Sequence, residues 1–423
     1  MTTSTIEKVN IRQYLRTFQF VEKKDFFLPA SSIQTTVEPV TIGGKTYRKY
    51  INEYWTSRQR QSNSIHEIAY RACFKPQLPN FFINLLTSAG DIVYDPFSGR
   101  GTTALEAALL DRGAIANDAN PLSIILTYPR FYIPKMSDLQ KRLDSLPLRH
   151  DISAEIDLSM FYHAKTESEI VSLKNYLRSR KETGAEDALD RWIRMIATNR
   201  LTGHSSGFFS VYTLPPNQAV SQESQKKINR ERRQKPEYRD VKRLILKKSI
   251  ELTSDIDDEL RERFKKVGDR SLFLDCDARK TRVIPSDSVT LTVTSPPFLD
   301  VVQYTADNWL RCWFNDIAIS EIEKKMTMIK SVELWSSFMS EVFLELYRIT
   351  RKEGYVAFEV GEVRGGKVKL DEHVVSCGEK AGFHCEGILI NLQEFTKTSN
   401  IWGIANNKKG TNSNRVVIFS KNK

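Results

Sequence analysis

The chain is poor in the residues that hold metals: its 423 positions include only five cysteines and six histidines. Cys73, Cys276, Cys312, Cys377 and Cys385 form no Cys-x-x-Cys pair. His66, His150, His163, His204, His373 and His384 are equally dispersed, so no zinc or other metal site is expected. Odd, scattered thiols imply a reducing compartment. No apolar stretch approaches the roughly 20 residues of a membrane span. The start, Met1-Thr2-Thr3-Ser4-Thr5-Ile6-Glu7-Lys8, lacks the apolar segment of a secretion signal. A cytoplasmic protein without a membrane partner is the expectation. Internal repeats and long Pro/Gly/Ser linkers are also missing, which argues against a solenoid or a freely tethered domain.

What is present is apolar content sufficient for a core, 40% of residues, and an excess of positive charge, 63 Lys and Arg against 52 Asp and Glu, a formal +11. Such a balance favours a polyanionic partner. The densest basic run lies between Gln222 and Lys248, where Lys226, Lys227, Arg230, Arg232, Arg233, Lys235 and Arg239 can reach phosphates. A solvated helix face with intermittent acids is the alternative for the same run.

Two segments carry chemistry. In the first, the strand-like Ile92-Val93-Tyr94 leads into Asp95-Pro96-Phe97-Ser98-Gly99-Arg100-Gly101-Thr102-Thr103 and then a helical stretch from Ala104 to Leu110. Gly99 and Gly101 let the backbone approach a ligand, and free N–H groups at the helix start can receive an anionic group. The ending of a phosphate loop and the three-glycine spacing of a dinucleotide fingerprint are both missing. Some twenty residues later Ala114-Ile115-Ala116-Asn117-Asp118 reads as a second strand ending in a carboxylate, placed as a ribose acceptor would be.

In the second, the apolar Val289-Thr290-Leu291-Thr292-Val293 ends in Thr294-Ser295-Pro296-Pro297-Phe298. Two prolines remove two N–H donors and hold the preceding residues extended, so the Ser295 hydroxyl and nearby carbonyls form a stiff, acceptor-rich rim. Such a rim can grip an amino group. Its alternative is a loop that merely closes a strand, with Phe298 as a core aromatic.

With both segments present, the chain resembles the S-adenosylmethionine-dependent DNA amino-methyltransferases, which methylate cytosine N4 or adenine N6. There an Asp-Pro-Phe-x-Gly-x-Gly-Thr loop holds the cofactor's methionine end, and a (Ser/Thr/Asn/Asp)-Pro-Pro-aromatic loop carries the chemistry. Phe74-Lys75-Pro76-Gln77-Leu78-Pro79 is similar to the segment that packs over the cofactor, Asp118-Ala119-Asn120-Pro121 to the ribose-binding turn, and Asp277-Ala278-Arg279 to the adenine contact. The resemblance spans roughly 65–125 and 270–420. It implies cofactor contacts at Phe74, Lys75, Asp95, Phe97, Gly99, Gly101, Thr102, Asp118 and Asp277, with catalysis at Ser295, Pro296, Pro297 and Phe298.

Ser before the prolines resembles the cytosine-N4 branch more than the adenine branch. The implied function is site-specific methylation of double-stranded DNA, with a cognate restriction endonuclease as a second partner and a location at the bacterial or archaeal nucleoid. No cysteine follows a proline, which separates the chain from carbon-5 cytosine methylation through a thiol adduct. Competing readings are an adenine-N6 enzyme, an RNA amino-methyltransferase, and a non-catalytic DNA-binding subunit.

Chemically, an exocyclic amino nitrogen is a poor nucleophile because its lone pair is delocalised into the ring. If the Ser295 hydroxyl and Pro296 carbonyl accept its N–H bonds, the nitrogen can pyramidalise and aim that pair at a sulfonium methyl. Proximity and fixed dipoles then carry most of the acceleration. The base must first swing out of the duplex, where Phe298 could stack on it.

The expected fold is α/β, a Rossmann-like methyltransferase fold whose mostly parallel sheet bears an antiparallel edge hairpin and a helix-rich inserted region. Strands are expected at Ile92–Phe97, Ala114–Asn117, Ser271–Leu274, Val289–Val293 and Tyr355–Val360, because buried parallel strands read as continuous apolar runs. A long amphipathic helix is expected from Glu333 to Thr350, and Gly387–Leu392 with Arg415–Ser420 as the edge hairpin. The chain divides into an N-terminal extension (1–64), a first core part (65–125), a basic insertion assigned to target recognition (126–265) and a second core part (266–423). In the insertion Thr166-Glu167-Ser168-Glu169 suits a capping box ahead of Ile170, Leu173 and Leu177, and Leu189, Trp192, Ile193 and Ile196 recur at helical spacing. The aromatic, small-residue segment Ser205–Asn217 either contacts bases or packs into the core.

Overall fold

In the computed structural model, residues 10–21, 32–55, 62–70, 73–213, 219–297, 304–320, 322, 331–363, 368–392 and 413–422 are described. In chain order the strands are β1 (Gln19–Val21), β2 (Ser32–Gln34), β3 (Thr36–Ile42), β4 (Lys45–Asn52), β5 (Ile92–Asp95), β6 (Gly113–Asn117), β7 (Leu272–Leu274), β8 (Val289–Thr294), β9 (Thr350–Val360), β10 (Glu362–Val363), β11 (Val368–Lys369), β12 (His384–Leu392) and β13 (Ser413–Ser420). Nine of them form one sheet in the order β3-β4-β12-β13-β9-β8-β5-β6-β7, while β1 with β2 and β10 with β11 make small ribbons.

The half from β9 to β7 is parallel throughout. Its strand order reverses at β5 and β8, the switch point where ligands bind in doubly wound folds. The Rossmann-like expectation therefore holds on strand order alone. One detail differs. β12 and β13 do pair antiparallel, yet β13 lies between β12 and β9, and β12 is itself covered by β4 in a parallel pairing. The edge hairpin is β3–β4, drawn from residues 36–52 of the supposed N-terminal extension. Its alternating pattern around Gly43-Gly44, both at positive φ, makes it a hairpin with one half-buried face.

Side chains alternate across the pleat, so neighbours on β5 enter different cores: Val93 one, Tyr94 the other. On Tyr94's side the sheet is covered by the helices Val332–Ile349 and Leu370–Ala381, which contribute Trp335, Val342, Leu346 and Val374. On Val93's side lie helices α1 (Ile11–Thr17), α2 (Gln77–Leu86) and α3 (Thr102–Leu109). Beyond them come α4 (Leu122–Thr127), α5 (Met136–Ser145), α6 (Ala164–Glu182), α7 (Ala188–Arg200), α8 (Gln222–Arg232), α9 (Val241–Leu252), α10 (Asp258–Gly268) and, after the second motif, α11 (Tyr304–Phe314).

The helices between 136 and 268 share this core with the sheet. Leu173, Leu177, Trp192, Ile196, Ile245 and Phe264 are buried in one cluster with Val93, Leu105 and Leu291. Burying such side chains contributes about 1.5–3 kcal/mol each. Trp192 also donates from Nε1 to Ser249 Oγ at 2.9 Å, which ties α7 to α9.

The capping box expected at Thr166 is not formed. α6 starts at Ala164 under an His163 cap, and Thr166 instead exchanges hydrogen bonds with the Arg239 backbone, while Glu169 accepts from Tyr238 and from Val241 N. A tertiary partner for the Thr166 hydroxyl outcompeted the local one. The reciprocal box sits at Asp187 and Asp190, ahead of α7.

Candidate functional site

β5 and β8 are parallel neighbours, with Val93 opposite Leu291 and Tyr94 opposite Thr292. Neighbouring strands lie about 4.8 Å apart, so the glycine turn after β5 and the Ser-Pro-Pro loop after β8 leave the same edge of the sheet side by side. Two hydrogen bonds fasten them: Thr294 Oγ1 donates to Asp95 Oδ1 at 2.6 Å, and Thr103 Oγ1 donates to the Val293 carbonyl at 3.1 Å.

Asp95 Oδ1 also accepts from Phe97 N and the Thr103 hydroxyl supports the carboxylate from nearby, whereas Oδ2 is buried with no partner within hydrogen-bond geometry among the described residues. Burial outweighs these hydrogen bonds and lifts the Asp95 carboxyl to about 7. Ser98 Oγ, next in the turn, is likewise buried without a partner. Gly101 takes φ +80°, and a Cβ there would stand 2.4 Å from the Thr127 side chain. Only glycine allows the turn to close on α4 before Thr102 opens α3.

Asp118 reaches across from the end of β6: Oδ2 accepts from Gly99 N at 2.8 Å and Oδ1 from Asn120 N at 2.9 Å. Burial raises its carboxyl to about 6. Asp277 lies beyond β7, one residue after Cys276, whose N–H and carbonyl are both bonded to the Asn117 side chain. Its carboxylate is held by Arg279, 2.6 Å away, and the Arg279 bonds outweigh burial to keep it below the ordinary range. Phe74 is half-buried against the core near the start of α2, and the neighbouring Lys75 is exposed, its amine lowered by desolvation. The residues for which the sequence predicts cofactor contacts thus lie at the carboxyl ends of β5, β6 and β7 and at the approach to α2.

On the second loop Ser295 and Pro297 are partly buried and Pro296 buried, and Trp335 Nε1 donates to the Pro297 carbonyl at 3.0 Å. Phe298 lies outside the described residues. Ser295 is hydrogen-bonded to Glu359, a residue on β9 that also accepts from Asn414 Nδ2 at 2.5 Å. Burial raises the Glu359 carboxyl.

Sequence reasoning took Glu359 only as part of a late strand. The signal for it was an acid inside the apolar run Tyr355–Val360, which must find partners when buried. Asn117 was missed in the same way. Completely buried at the end of β6, it joins Pro96 to Cys276 and so fixes the mouths of three strands.

The basic run forms α8 and the turn after it. Lys226, Lys227, Arg230, Arg232, Arg233 and Lys235 are exposed. Lys226 pairs with Glu223 and Lys227 more loosely with Glu231, while Arg232 stacks 3.7 Å over the Tyr212 ring. Arg239 is turned inward, its Nη1 donating to the carbonyls of Ser205, Phe208 and Ser210.

Residues 13–124 match the sequence profile of the N6/N4 DNA methylase family. Over 88 residues, 21% of this chain, the sequence is 28% identical to the type II methyltransferase M.MjaII of Methanocaldococcus jannaschii, and the match spans 17% of that relative's length. Among solved structures, a putative DNA modification methylase from Thermus thermophilus is similar at 22% identity and a TM-score of 0.21, covering 35% of this chain and 51% of that one. A geranyl diphosphate C-methyltransferase from Streptomyces coelicolor A3(2) is similar at 7% identity and a TM-score of 0.32, covering 81% of this chain and 78% of that one. The similarity to the N6/N4 DNA methylase family thus lies in the segment 13–124, which includes the glycine turn and Asp118.

Proposed function

We propose that this protein is an S-adenosylmethionine-dependent DNA methyltransferase that acts on the N4 amino group of a flipped-out cytosine. The observation that carries the reading is the Thr294–Asp95 hydrogen bond between adjacent parallel strands, which sets an amine-gripping loop beside a ligand-holding turn.

The residues suit the cofactor. Asp95 Oδ2 is an orphaned, buried acceptor for an ammonium, Ser98 Oγ is a second unpartnered polar atom, and the start of α3 offers N–H groups to a carboxylate. Asp118, with lone pairs remaining on both oxygens, faces the place of a ribose; Asp277, Phe74 and Lys75 border the rest. When bound, the cofactor supplies an electrophilic methyl group.

The protein's own part is orientation and charge. A Ser295 hydroxyl that donates to Glu359 presents only lone pairs to the pocket, so it accepts an amino N–H rather than competing as a donor. The buried Glu359 is positioned to favour positive charge developing on that nitrogen. In this reading the helices of 126–265 recognise the target, and Lys226, Lys227, Arg230, Arg232, Arg233 and Lys235 track phosphates. The fullest form of the reading has the methyl mark shield a site from a cognate restriction endonuclease.

The test is incubation of the protein with labelled cofactor and genomic DNA, followed by mass spectrometry of the nucleosides. N4-methylcytosine is expected. N6-methyladenine would reject the base assignment, 5-methylcytosine would reject the chemistry as well, and, in a parallel incubation with transfer RNA, label entering the RNA but not the DNA would reject the polymer.

A further inference from the structure

Between α7 and α8 the described part of the connection, 201–213, has a packed interior and an exposed tip. Phe208, Phe209 and Val211 are buried, while His204, Ser205 and Ser206 are three consecutive exposed residues. Which part of this aromatic, small-residue segment packs and which part is presented is thereby decided for its described residues.

The tip is held unusually firmly for a surface loop. Arg239 Nη1 gathers the carbonyls of Ser205, Phe208 and Ser210. The Phe208 ring lies under the Arg200 guanidinium at 3.9 Å and fills the space that a side chain at Gly203 would need, since a Cβ there would be 2.4 Å from the ring. Phe209 N donates to the Arg200 carbonyl, Val211 N to Phe161, and Gly203 bridges to Tyr212. A loop needing only to connect two helices does not require this bracing, whereas hydrogen-bonding groups that read a partner must be held in place.

Its location supplies the second argument. Gln225 of α8 and Gln234 both donate to the Tyr212 carbonyl, and Arg232 covers the Tyr212 ring, so the loop is continuous with the exposed basic run. Closer to α8, residues 219 and 220 abut α11, the helix that comes after the Ser-Pro-Pro segment in the chain. Ala219 N donates to the Asp307 carbonyl, and Trp309 Nε1 donates to the Val220 carbonyl at 3.1 Å. Through Arg239 at the Ser205 carbonyl and Arg232 over the Tyr212 ring, cations suited to backbone phosphates thus adjoin the loop that carries the tip.

We infer that His204, Ser205 and Ser206 form a base-reading tip, which hydrogen-bonds to base edges of the duplex beside the flipped nucleotide and determines part of the target sequence. The inference rests on the DNA-modifying reading above. It adds a division of labour: phosphate contacts on α8 give affinity, and the tip gives discrimination.

The experiment is selection from a randomised duplex pool, with wild-type protein and the His204→Ala, Ser205→Ala, Ser206→Ala triple variant side by side. Wild type is expected to enrich a motif. The triple variant is expected to keep salt-dependent binding and lose discrimination at one or more motif positions by about tenfold or more. Because the three side chains are exposed, the variant should unfold at the wild-type temperature; if it does not, the single variant His204→Gln decides, by a changed base preference. A motif unaltered by these substitutions, or a wild type that enriches none, overturns the inference. Methyl transfer to the selected duplexes is measured separately. A motif lost by the variant without transfer by wild type would sink the enzyme reading and leave the reading tip standing.

Discussion

Asp95 links the chemistry of the site to pH at a single residue. An ordinary aspartate titrates near 4, about three units below the buried group. Between those values the folded chain keeps a proton that the unfolded chain has released. The stability contributed by this group is therefore complete below about pH 4 and is lost as the pH rises through 7. Asp95→Asn keeps the neutral shape and should flatten the fall in unfolding free energy over that window, measured by urea denaturation at several pH values. A ligand ammonium against Oδ2 favours the charged form, so affinity for S-adenosylhomocysteine should rise across pH 7, by several-fold in calorimetry, and Asp95→Asn should abolish the rise. At Ser295, replacement by alanine removes the acceptor for the amino group, and kcat should fall by about a hundredfold or more while the cofactor's Kd stays within about twofold. Burial raises Glu359, so activity should decline on acidification as it takes up a proton; Glu359→Gln should lower kcat and remove that acid limb from the pH–rate profile.

At the scale of elements, the turn between β5 and α3 depends on one backbone conformation. Gly101→Ala must place a Cβ against Thr127 at a left-handed φ, which combines about 1–2 kcal/mol of backbone strain with about 1–3 kcal/mol of overpacking. The expected result is an earlier urea midpoint and loss of cofactor binding; an unchanged midpoint would show that α4 moves aside freely. The same turn was legible in the sequence because glycine, proline and a following helix are local signals. β5, β6, β8 and β9 were legible for a related reason, since strands buried on both faces are continuous apolar runs. β3 and β4 were not recognised, although Thr36–Ile42 and Lys45–Asn52 flank a Gly-Gly turn. Their polar outer face and the distance in sequence to β12 hid their place in the sheet. The network around Asn117 and the link from Ser295 to Glu359 were invisible for a different reason: each joins residues of separate strands, and no local spacing encodes such a contact.

For the whole molecule the balance of charge has two opposite parts. The net excess is +11, yet the carboxyl ends of β5, β6 and β9 hold Asp95, Asp118 and Glu359 in buried surroundings that favour a cationic ligand. The excess positive charge is displayed elsewhere, with one dense stretch at α8 and the turn beyond it. Lys227, Arg230, Arg233 and Lys235 are exposed there, and among the described residues only Lys227 of these four has an acidic neighbour, Glu231 at 3.8 Å. Exposed pairs of that kind are worth little, so the lysine remains available to a phosphate. Each phosphate neutralised on duplex DNA contributes about 0.9 to the slope of log affinity against log salt. Replacing these four residues by alanine should therefore reduce the slope by roughly 3–4 if all four engage the backbone. Because the side chains point to solvent, the unfolding temperature should stay near that of the wild type. Cofactor affinity should also be preserved, since Asp95, Asp118 and Glu359 lie at the ends of β5, β6 and β9 and not on α8. The measurement is fluorescence anisotropy on a labelled duplex at increasing potassium chloride. A slope that does not change would place the DNA on another face of the molecule and separate α8 from substrate binding.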